Sequence, residues 1–346
     1  MEKLERLIAN TQEIVTIEEL KTVLEKPHPK AYIGFEPSGV VHLGWKICTN
    51  KIKDFLACGF DFTVLLADWH AYINDKLGGD LDKIKLCGRY MHDCFAAMGV
   101  DTSKVRFVSA SDYVNDANYW ELVLKTSKAT SVARVKRAMD IMGREEEEAE
   151  KDLSKLFYPA MQVSDIFYLQ LDVAYGGTDQ RHAHMLARDV AKKIGRIAPV
   201  AVHTPLLTGL QAGGRMNPTE AKMSKSKPET MISIHDSPEL VKMKLSKAYC
   251  PEKQTEGNPV LEICKFVIFP DLEGKVFLIE RPEKFGGNLQ FTTYQELERA
   301  YVAGLHPLDL KNATAHHINT ILEPVHTFFE RHPENLQKMK VAGILP

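Results

Sequence analysis

The chain of 346 residues has no excess of charge of either sign, with 44 Lys and Arg against 46 Asp and Glu. That balance excludes a global electrostatic attraction to nucleic acid or to an anionic membrane. Any contact with nucleic acid must come from local patches. No stretch approaches the ~20 apolar residues of a membrane span. The N-terminus carries Glu2 and Glu5 and no apolar run, so it does not read as a signal peptide. The six cysteines, Cys48, Cys58, Cys87, Cys94, Cys250 and Cys264, form no Cys-x-x-Cys pair. Reduced, mostly buried thiols are expected. His182 with His184 and His316 with His317 lack partners at metal spacing, so no metal site is expected. These absences point to a soluble cytoplasmic protein with no membrane partner.

What is present is an alternation of strand and helix. The first ~25 residues, with Leu4, Leu7, Ile8 and Ile14, predict a leader helix. Ala31–Phe35, Phe62–Ala67 and Val105–Val108 predict strands, separated by helices over Val41–Ala57 and Leu81–Met98. Asn118 to Lys155 predicts a helical block that interrupts the alternation, with an acidic run at Glu145–Glu148 expected to face solvent. Strand and helix resume at Leu171–Ala174, Asp179–Ile194 and Pro199–Val202. The pattern implies an α/β fold, a doubly wound parallel sheet wrapped by helices. After a loop-like stretch at 205–230 the pattern turns helical, over Pro238–Ala248, Pro259–Ile268, Tyr294–Val302 and Leu310–Phe329. A boundary near 234 therefore divides the chain into 1–233 and 234–346. The second part carries 13 Lys/Arg against 15 Asp/Glu and is not basic.

Three segments carry candidate chemistry. Tyr32-Ile33-Gly34-Phe35-Glu36-Pro37-Ser38-Gly39 ends a strand and must turn into a helix beginning near His42. Ligands of doubly wound sheets bind at such turns, and helix N-termini attract phosphate. Gly34 leaves room for a ligand, and His42 is placed to donate to a phosphoryl group or simply to cap the helix. Tyr158, Gln162 and Asp165 are spaced i, i+4, i+7, so they share one face of an otherwise apolar helix. Either they satisfy one another or they form a polar pocket. Gln180 opens the next helix beside them, and Asp179 is placed to accept from ribose hydroxyls. Lys222-Met223-Ser224-Lys225-Ser226 has no apolar periodicity, and its two lysines can balance charge on a pyrophosphate leaving group.

With His42-Leu43-Gly44 and Lys222–Ser226, the chain resembles a class I aminoacyl-tRNA synthetase. Finer motifs resemble the tyrosyl-tRNA synthetases of archaeal/eukaryotic type. They are the Tyr32–Gly39 segment, Leu65-Leu-Ala-Asp-Trp-His70-Ala-Tyr, Tyr158-Pro-Ala-Met-Gln162-Val-Ser-Asp165, Gly176-Gly-Thr-Asp-Gln180-Arg181 and His306-Pro-Leu-Asp309. The resemblance runs from about residue 5 to residue 329.

The resemblance implies a Rossmann-type catalytic domain with a helical insertion at about 112–155, then a mainly α-helical anticodon-binding domain. It implies activation of L-tyrosine by ATP to tyrosyl-adenylate, with Mg²⁺, and transfer to the 3′-terminal adenosine of tRNA-Tyr by a homodimer. Tyr32 and Asp165 would contact the phenol. Tyr158, Gln162 and Gln180 would hold the ammonium, and Gly34, Leu65 and His70 would line the pocket. Gly34, His42, Gly44, Trp45, Asp179, Lys222, Met223, Lys225 and Ser226 would form the ATP site, with His42, Lys222 and Lys225 in the catalytic roles. Arg137 and Arg181 would meet the acceptor stem. Phe285 and Asp309 would meet the anticodon, Phe285 by stacking and Asp309 by hydrogen bonding to its first base, and His306 would also bind tRNA.

Three departures from the family's pattern stand out. Trp45 occupies the place of a second histidine, the loop Leu210 to Ala221 is long, and residues 330–346 read as a helix stop plus tail. A tryptophan-specific synthetase and a non-catalytic RNA-binding relative remain alternatives on sequence alone.

Overall fold

A computed structural model describes residues 2–142, 151–211, 223, 228–272 and 274–345. Its centre is one six-stranded sheet. The strands are β1 (Glu13–Val15), β2 (Lys30–Phe35), β3 (Asp61–Leu66), β4 (Val105–Ser109), β5 (Val173–Gly177) and β6 (Val200–Thr204). Their spatial order is β1-β6-β5-β2-β3-β4, and only β1 runs antiparallel to its neighbour. The order reverses between β2 and β5, which makes that junction the switch point of a doubly wound sheet.

The register opens a crevice there. β2 and β5 pair only at Ala31–Val173 and Tyr32–Ala174. Each continues alone with its outer neighbour, β2 to Phe35–Leu66 and β5 to Gly177–Thr204. Beyond Tyr32 the two halves therefore part, at the carboxyl ends of both strands.

Alternation along the strands feeds two cores. Ile33, Val64, Tyr175 and Val202 point into one. Tyr32, Leu65 and Ala174 point into the other. The helices in chain order are α1 (Lys3–Ile8), α2 (Ile17–Leu24), α3 (Trp45–Ala57), α4 (Asp68–Ile73), α5 (Leu81–Ala97), α6 (Ala117–Lys128), α7 (Val132–Ala138), α8 (Ser154–Tyr168) and α9 (Arg181–Ala191). Beyond residue 237 the chain is mostly helical, with helices Pro238–Ser246, Pro259–Ile263, Tyr294–Ala303, Pro307–Arg331 and Glu334–Val341.

Several expectations need correction. The leader is not one helix, because Ile14 lies in β1, paired with Val202 at the sheet edge. Thr16 then starts α2 through a capping box with Glu19. The helix expected to begin near His42 starts at Trp45 with Gly44 as N-cap. Residues 41–43 are held out of it by pairing with the 232–234 segment. Leu43 N–H donates to Ile232 O at 2.8 Å, and Ile234 N–H donates to Val41 O at 3.1 Å. The block after Asn118 is α6, α7 and a 3-10 turn at Met139–Met142. The acidic run Glu145–Glu148 and most of the loop Leu210 to Ala221 lie outside the described residues.

A hairpin of β7 (Phe277–Ile279) and β8 (Leu289–Phe291) was not expected. Three-residue strands carry too little alternation to be legible. The helix expected over Pro259–Ile268 changes to a π-helical turn at Cys264–Ile268. The expected tail at 330–346 is not loose. Helix Glu334–Val341 buries Met339 completely, and Asn335 Nδ2 donates to Asp93 of α5 at 2.8 Å.

Candidate active site

The crevice between β2 and β5 is a cavity of about 600 Å³. At its floor lies Asp165, completely buried on α8. Its Oδ1 accepts from the hydroxyls of Tyr113 at 2.8 Å and Tyr119 at 3.0 Å. Its Oδ2 makes no hydrogen bond. His70 Nε2 approaches that oxygen to 3.1 Å, close enough for charge attraction but out of line for a hydrogen bond. Asp165 therefore keeps one buried, unspent acceptor facing the cavity. Leaving such an atom unpaired costs ~1–3 kcal/mol, more for a charge, unless a ligand supplies the donor.

The neighbouring groups favour a neutral donor. Burial raises the pKa of Tyr32, the charge of Asp165 raises it further, and Gln162 pulls the other way. Tyr32 thus stays a protonated phenol beside a carboxylate. Burial also raises Tyr113, and Asp165 adds to the shift. For His70, burial pulls the pKa down, but Asp165, Glu36 and Asp68 outweigh it, and the net shift is upward.

Further along the wall, Tyr158 donates to Glu36 Oε1 at 2.8 Å. Glu36 is also held by Asn74 Nδ2 at 2.9 Å and Lys76 Nζ at 3.4 Å. Gln162 Nε2 donates to Gln180 Oε1 at 3.0 Å, which leaves Gln162 Oε1 buried without a partner. A cationic donor placed there would meet Gln162 Oε1, Tyr158 Oη and the charge of Glu36. The i, i+4, i+7 stripe is thus partly self-satisfied and partly open.

The other end is built by glycines. A side chain at Gly177 would come within 2.7 Å of Asp179 Oδ1 and 2.6 Å of Leu206 Cδ2. One at Gly176 would meet Gln180 at 3.0 Å. Both glycines let Asp179 and Gln180 fold back over the strand end. At Gly44 a Cβ would sit 2.8 Å from His42 Cε1. The ring is fixed there, because Gly44 N–H donates to His42 Nδ1 at 3.1 Å. In the neutral ring the proton is then on Nε2, which makes that nitrogen a donor. Gly34 is different, since a Cβ there would make only ordinary contacts at 3.7 Å or more, so its absence leaves open space.

Tyr32, Gly34, His42, Gly44, Trp45, Leu65, His70, Tyr158, Gln162, Asp165, Asp179, Gln180 and Met223 all line this one cavity. Trp45 contributes mainly by packing, its ring 4.2 Å from Phe35 and 5.3 Å from Phe95. Met223 N–H donates to Leu207 O at 2.6 Å. Lys222, Lys225 and Ser226 lie outside the described residues.

The residues expected to meet nucleic acid are elsewhere. Arg137 is exposed on α7. Arg181 is spent on Glu13, with contacts of 2.8–3.1 Å. Phe285 is 61% exposed, with Lys284 Nζ 5.0 Å from its ring centroid. His306 caps helix Pro307–Arg331, and Asp309 lies in its first turn. Sequence reasoning missed Tyr113, Tyr119 and the side-chain role of Glu36. Their partners lie 52, 46 and 122 residues away, respectively, beyond any local pattern.

Comparisons with known proteins show the family. The family described as tRNA synthetases class I (W and Y) matches residues 24–323. The tyrosine–tRNA ligase of Sulfolobus acidocaldarius is 56% identical over 336 residues, 94% of this chain and 92% of that protein. That of Sulfurisphaera tokodaii is 55% identical over 342 residues, 96% of this chain and 94% of its own length. Among solved structures, the tyrosyl-tRNA synthetase of Pyrococcus horikoshii complexed with L-tyrosine superposes with a TM-score of 0.91 at 42% identity, covering 98% of both chains. That of Aeropyrum pernix gives 0.88 at 47% identity, covering 99% of this chain and 98% of that one. A tryptophanyl-tRNA synthetase from Aeropyrum pernix K1 shares the fold alone, at 19% identity, a TM-score of 0.69 and coverage of 95% and 84%.

Proposed function

The chain belongs to the class I tRNA synthetases for tryptophan and tyrosine, in the archaeal tyrosyl branch, and is a tyrosine–tRNA ligase that uses ATP; from that premise we propose how its residues divide the work. The observation that carries the division is the single unspent oxygen of Asp165 beside protonated Tyr32. A tyrosine phenol entering the cavity donates to Asp165 Oδ2 and accepts from Tyr32. Phenylalanine leaves both unpaired, and tyrosine-specific synthetases are themselves the standing example of this rule. The substrate ammonium sits at Gln162 Oε1 and Tyr158, with Glu36 behind them and Gln180 orienting Gln162.

The substrate carboxylate then faces the glycine-built end. There Asp179 holds ribose and His42 Nε2–H donates to the phosphate as the carboxylate attacks and pyrophosphate leaves. Lys222 and Lys225 balance the leaving charge. The chain makes no covalent bond to substrate in this scheme, so catalysis rests on positioning and charge. Among the described residues no three His, Cys, Asp or Glu converge on a metal. Mg²⁺ would supply positive charge to the ATP phosphates as pyrophosphate leaves.

We divide the chain at residue 234, with tRNA-Tyr contacted on both sides of that point. Arg137 and Arg181 serve the acceptor stem, which requires Arg181 to exchange Glu13 for phosphate or base. Phe285 and Asp309 serve the anticodon, and His306 also binds tRNA. The exposed apolar side chains Trp120 and Leu124 of α6, with Leu153 and Phe157, suit a second copy of the chain. No helix of the described residues is long and apolar enough to cross a membrane, and tRNA as substrate favours the cytoplasm. ATP–pyrophosphate exchange with tyrosine, tryptophan and phenylalanine tests the pocket. Only tyrosine should support exchange, and equal exchange with tryptophan would overturn the phenol assignment.

A further inference from the structure

Two contacts outside the cavity join its nucleotide end to the helical part of the chain. Lys46, the residue after Trp45 in α3, is buried and pairs with Asp271 Oδ1 at 2.8 Å. On the opposite wall, Thr208 N–H donates to Glu262 Oε2 at 2.9 Å. Thr208 comes directly after Leu206 and Leu207, which line the cavity. The carbonyl of Leu207 also receives the N–H of Met223.

Glu262 and Asp271 stand at the two ends of one interrupted helix. It runs from Pro259–Ile263 through the π-helical turn Cys264–Ile268 to Phe269–Asp271. A π turn adds a residue to the helical repeat and so re-aims the side chains beyond it. The far side of this helix is anchored firmly. Phe269 stacks on Phe277 of β7 with centroids 5.5 Å apart, and Lys265 lies 5.4 Å from the centroid of Tyr294. The helix therefore grips both walls of the nucleotide end with carboxyl groups, and neither grip touches the tyrosine end.

We propose that Glu262 and Asp271 are positioning residues for ATP. They hold the Leu206–Thr208 wall and the start of α3 at the separation the nucleotide requires. Without Glu262 the wall carrying Leu207 and Met223 loses its outer tether. Without Asp271 the charge of Lys46 is left unpaired behind Trp45 and Gly44. Misplacement of a positioning wall by about 1 Å can cost up to ~10²-fold. The proposal rests on assigning this end of the cavity to ATP.

The test is pyrophosphate exchange with ATP and tyrosine varied separately. Glu262→Ala is expected to raise the KM for ATP about tenfold and leave the KM for tyrosine within about twofold. Glu262→Gln keeps an acceptor for Thr208 N–H and is expected to restore the wild-type value, which a loss of negative charge alone would not allow. Asp271→Asn keeps the volume, weakens the hold on Lys46, and is expected to raise the KM for ATP about threefold even if an alanine variant fails to fold. An unchanged KM for ATP in both Glu262→Ala and Asp271→Asn, or an equal rise for both substrates, overturns the proposal. His42→Ala tests the underlying assignment separately. If it leaves ATP use intact, that assignment fails. If ATP use collapses in His42→Ala but is unmoved in the Glu262 and Asp271 variants, only the brace fails.

Discussion

Replacing Asp165 by Asn separates charge from shape at the floor of the tyrosine pocket. The amide oxygen can keep both tyrosine hydroxyls, which now sit at 2.8 and 3.0 Å on Oδ1. The amide nitrogen then takes the place of Oδ2, the atom without a partner. A substrate phenol that donated to a carboxylate must turn and accept from an amide. A hydrogen bond to a charged group contributes ~1.5–3 kcal/mol and a neutral one ~0.5–1.5, so tyrosine loses about 1–2 kcal/mol. That is roughly a five- to thirtyfold fall in kcat/KM. Phenylalanine moves the other way, because it no longer leaves a carboxylate oxygen without a hydrogen-bond donor, and gains about 1–2 kcal/mol. Discrimination therefore narrows by about 30- to 1000-fold. The assay is pyrophosphate exchange at saturating ATP with each amino acid, then the KM for ATP at saturating tyrosine. A tyrosine-to-phenylalanine ratio within threefold of wild type would refute the reasoning. So would a KM for ATP that shifts as far as that for tyrosine.

Gly44→Ala puts a Cβ 2.8 Å from His42 Cε1 and displaces the ring. Exchange is expected to fall by about 10²-fold, as for loss of one charge-stabilising donor, with little change in melting temperature; wild-type exchange in the folded variant would exclude His42 from the phosphate step. Phe285→Ala and Asp309→Ala are expected to lower kcat/KM for tRNA while leaving exchange unchanged. For Phe285 the loss of one stacked base predicts about 5- to 150-fold, and equal losses in exchange would remove the anticodon role. His70 offers a pH test. Its pKa is raised in the fold, because Asp165, Glu36 and Asp68 outweigh the effect of burial. A raised pKa stabilises fully below the unfolded value of about 6.5, and that contribution is lost as pH climbs through the folded value. The melting-temperature advantage of wild type over His70→Gln should therefore be full below about pH 6.5 and shrink as pH rises above it, and a constant difference contradicts the charged imidazole.

Much of the site was legible because its signals are local. The stripe Tyr158, Gln162 and Asp165 needs only helical periodicity, and Tyr32 with Gly34 needs only strand alternation. The glycine pair at 176–177 and the glycine after Leu43 mark places where the chain folds back on itself, and added Cβ atoms there collide at 2.6–3.0 Å. Errors arose where neighbours in space override local preference. Residues 41–43 are apolar enough to begin a helix, yet backbone pairing with the 232–234 segment holds them extended. Ile14 fits a helical stripe, yet the free edge of β6 takes it as a strand.

By itself, the sequence determined the five parallel strands β2 to β6 and their alternation with helices, the faces of the stripes and the motifs shared with the tyrosyl branch. These arise from side-chain size, periodicity and glycine, which act within a few residues. The tertiary structure alone decided which oxygen of Asp165 is spent. It alone showed Glu36 gathered by Tyr158, Asn74 and Lys76. It also showed that Glu262 and Asp271 reach the walls of a cavity 54 and 225 residues upstream. Hydrogen bonds and ion pairs depend on distance and angle in space, and no spacing along the chain encodes either once the partners lie on different elements.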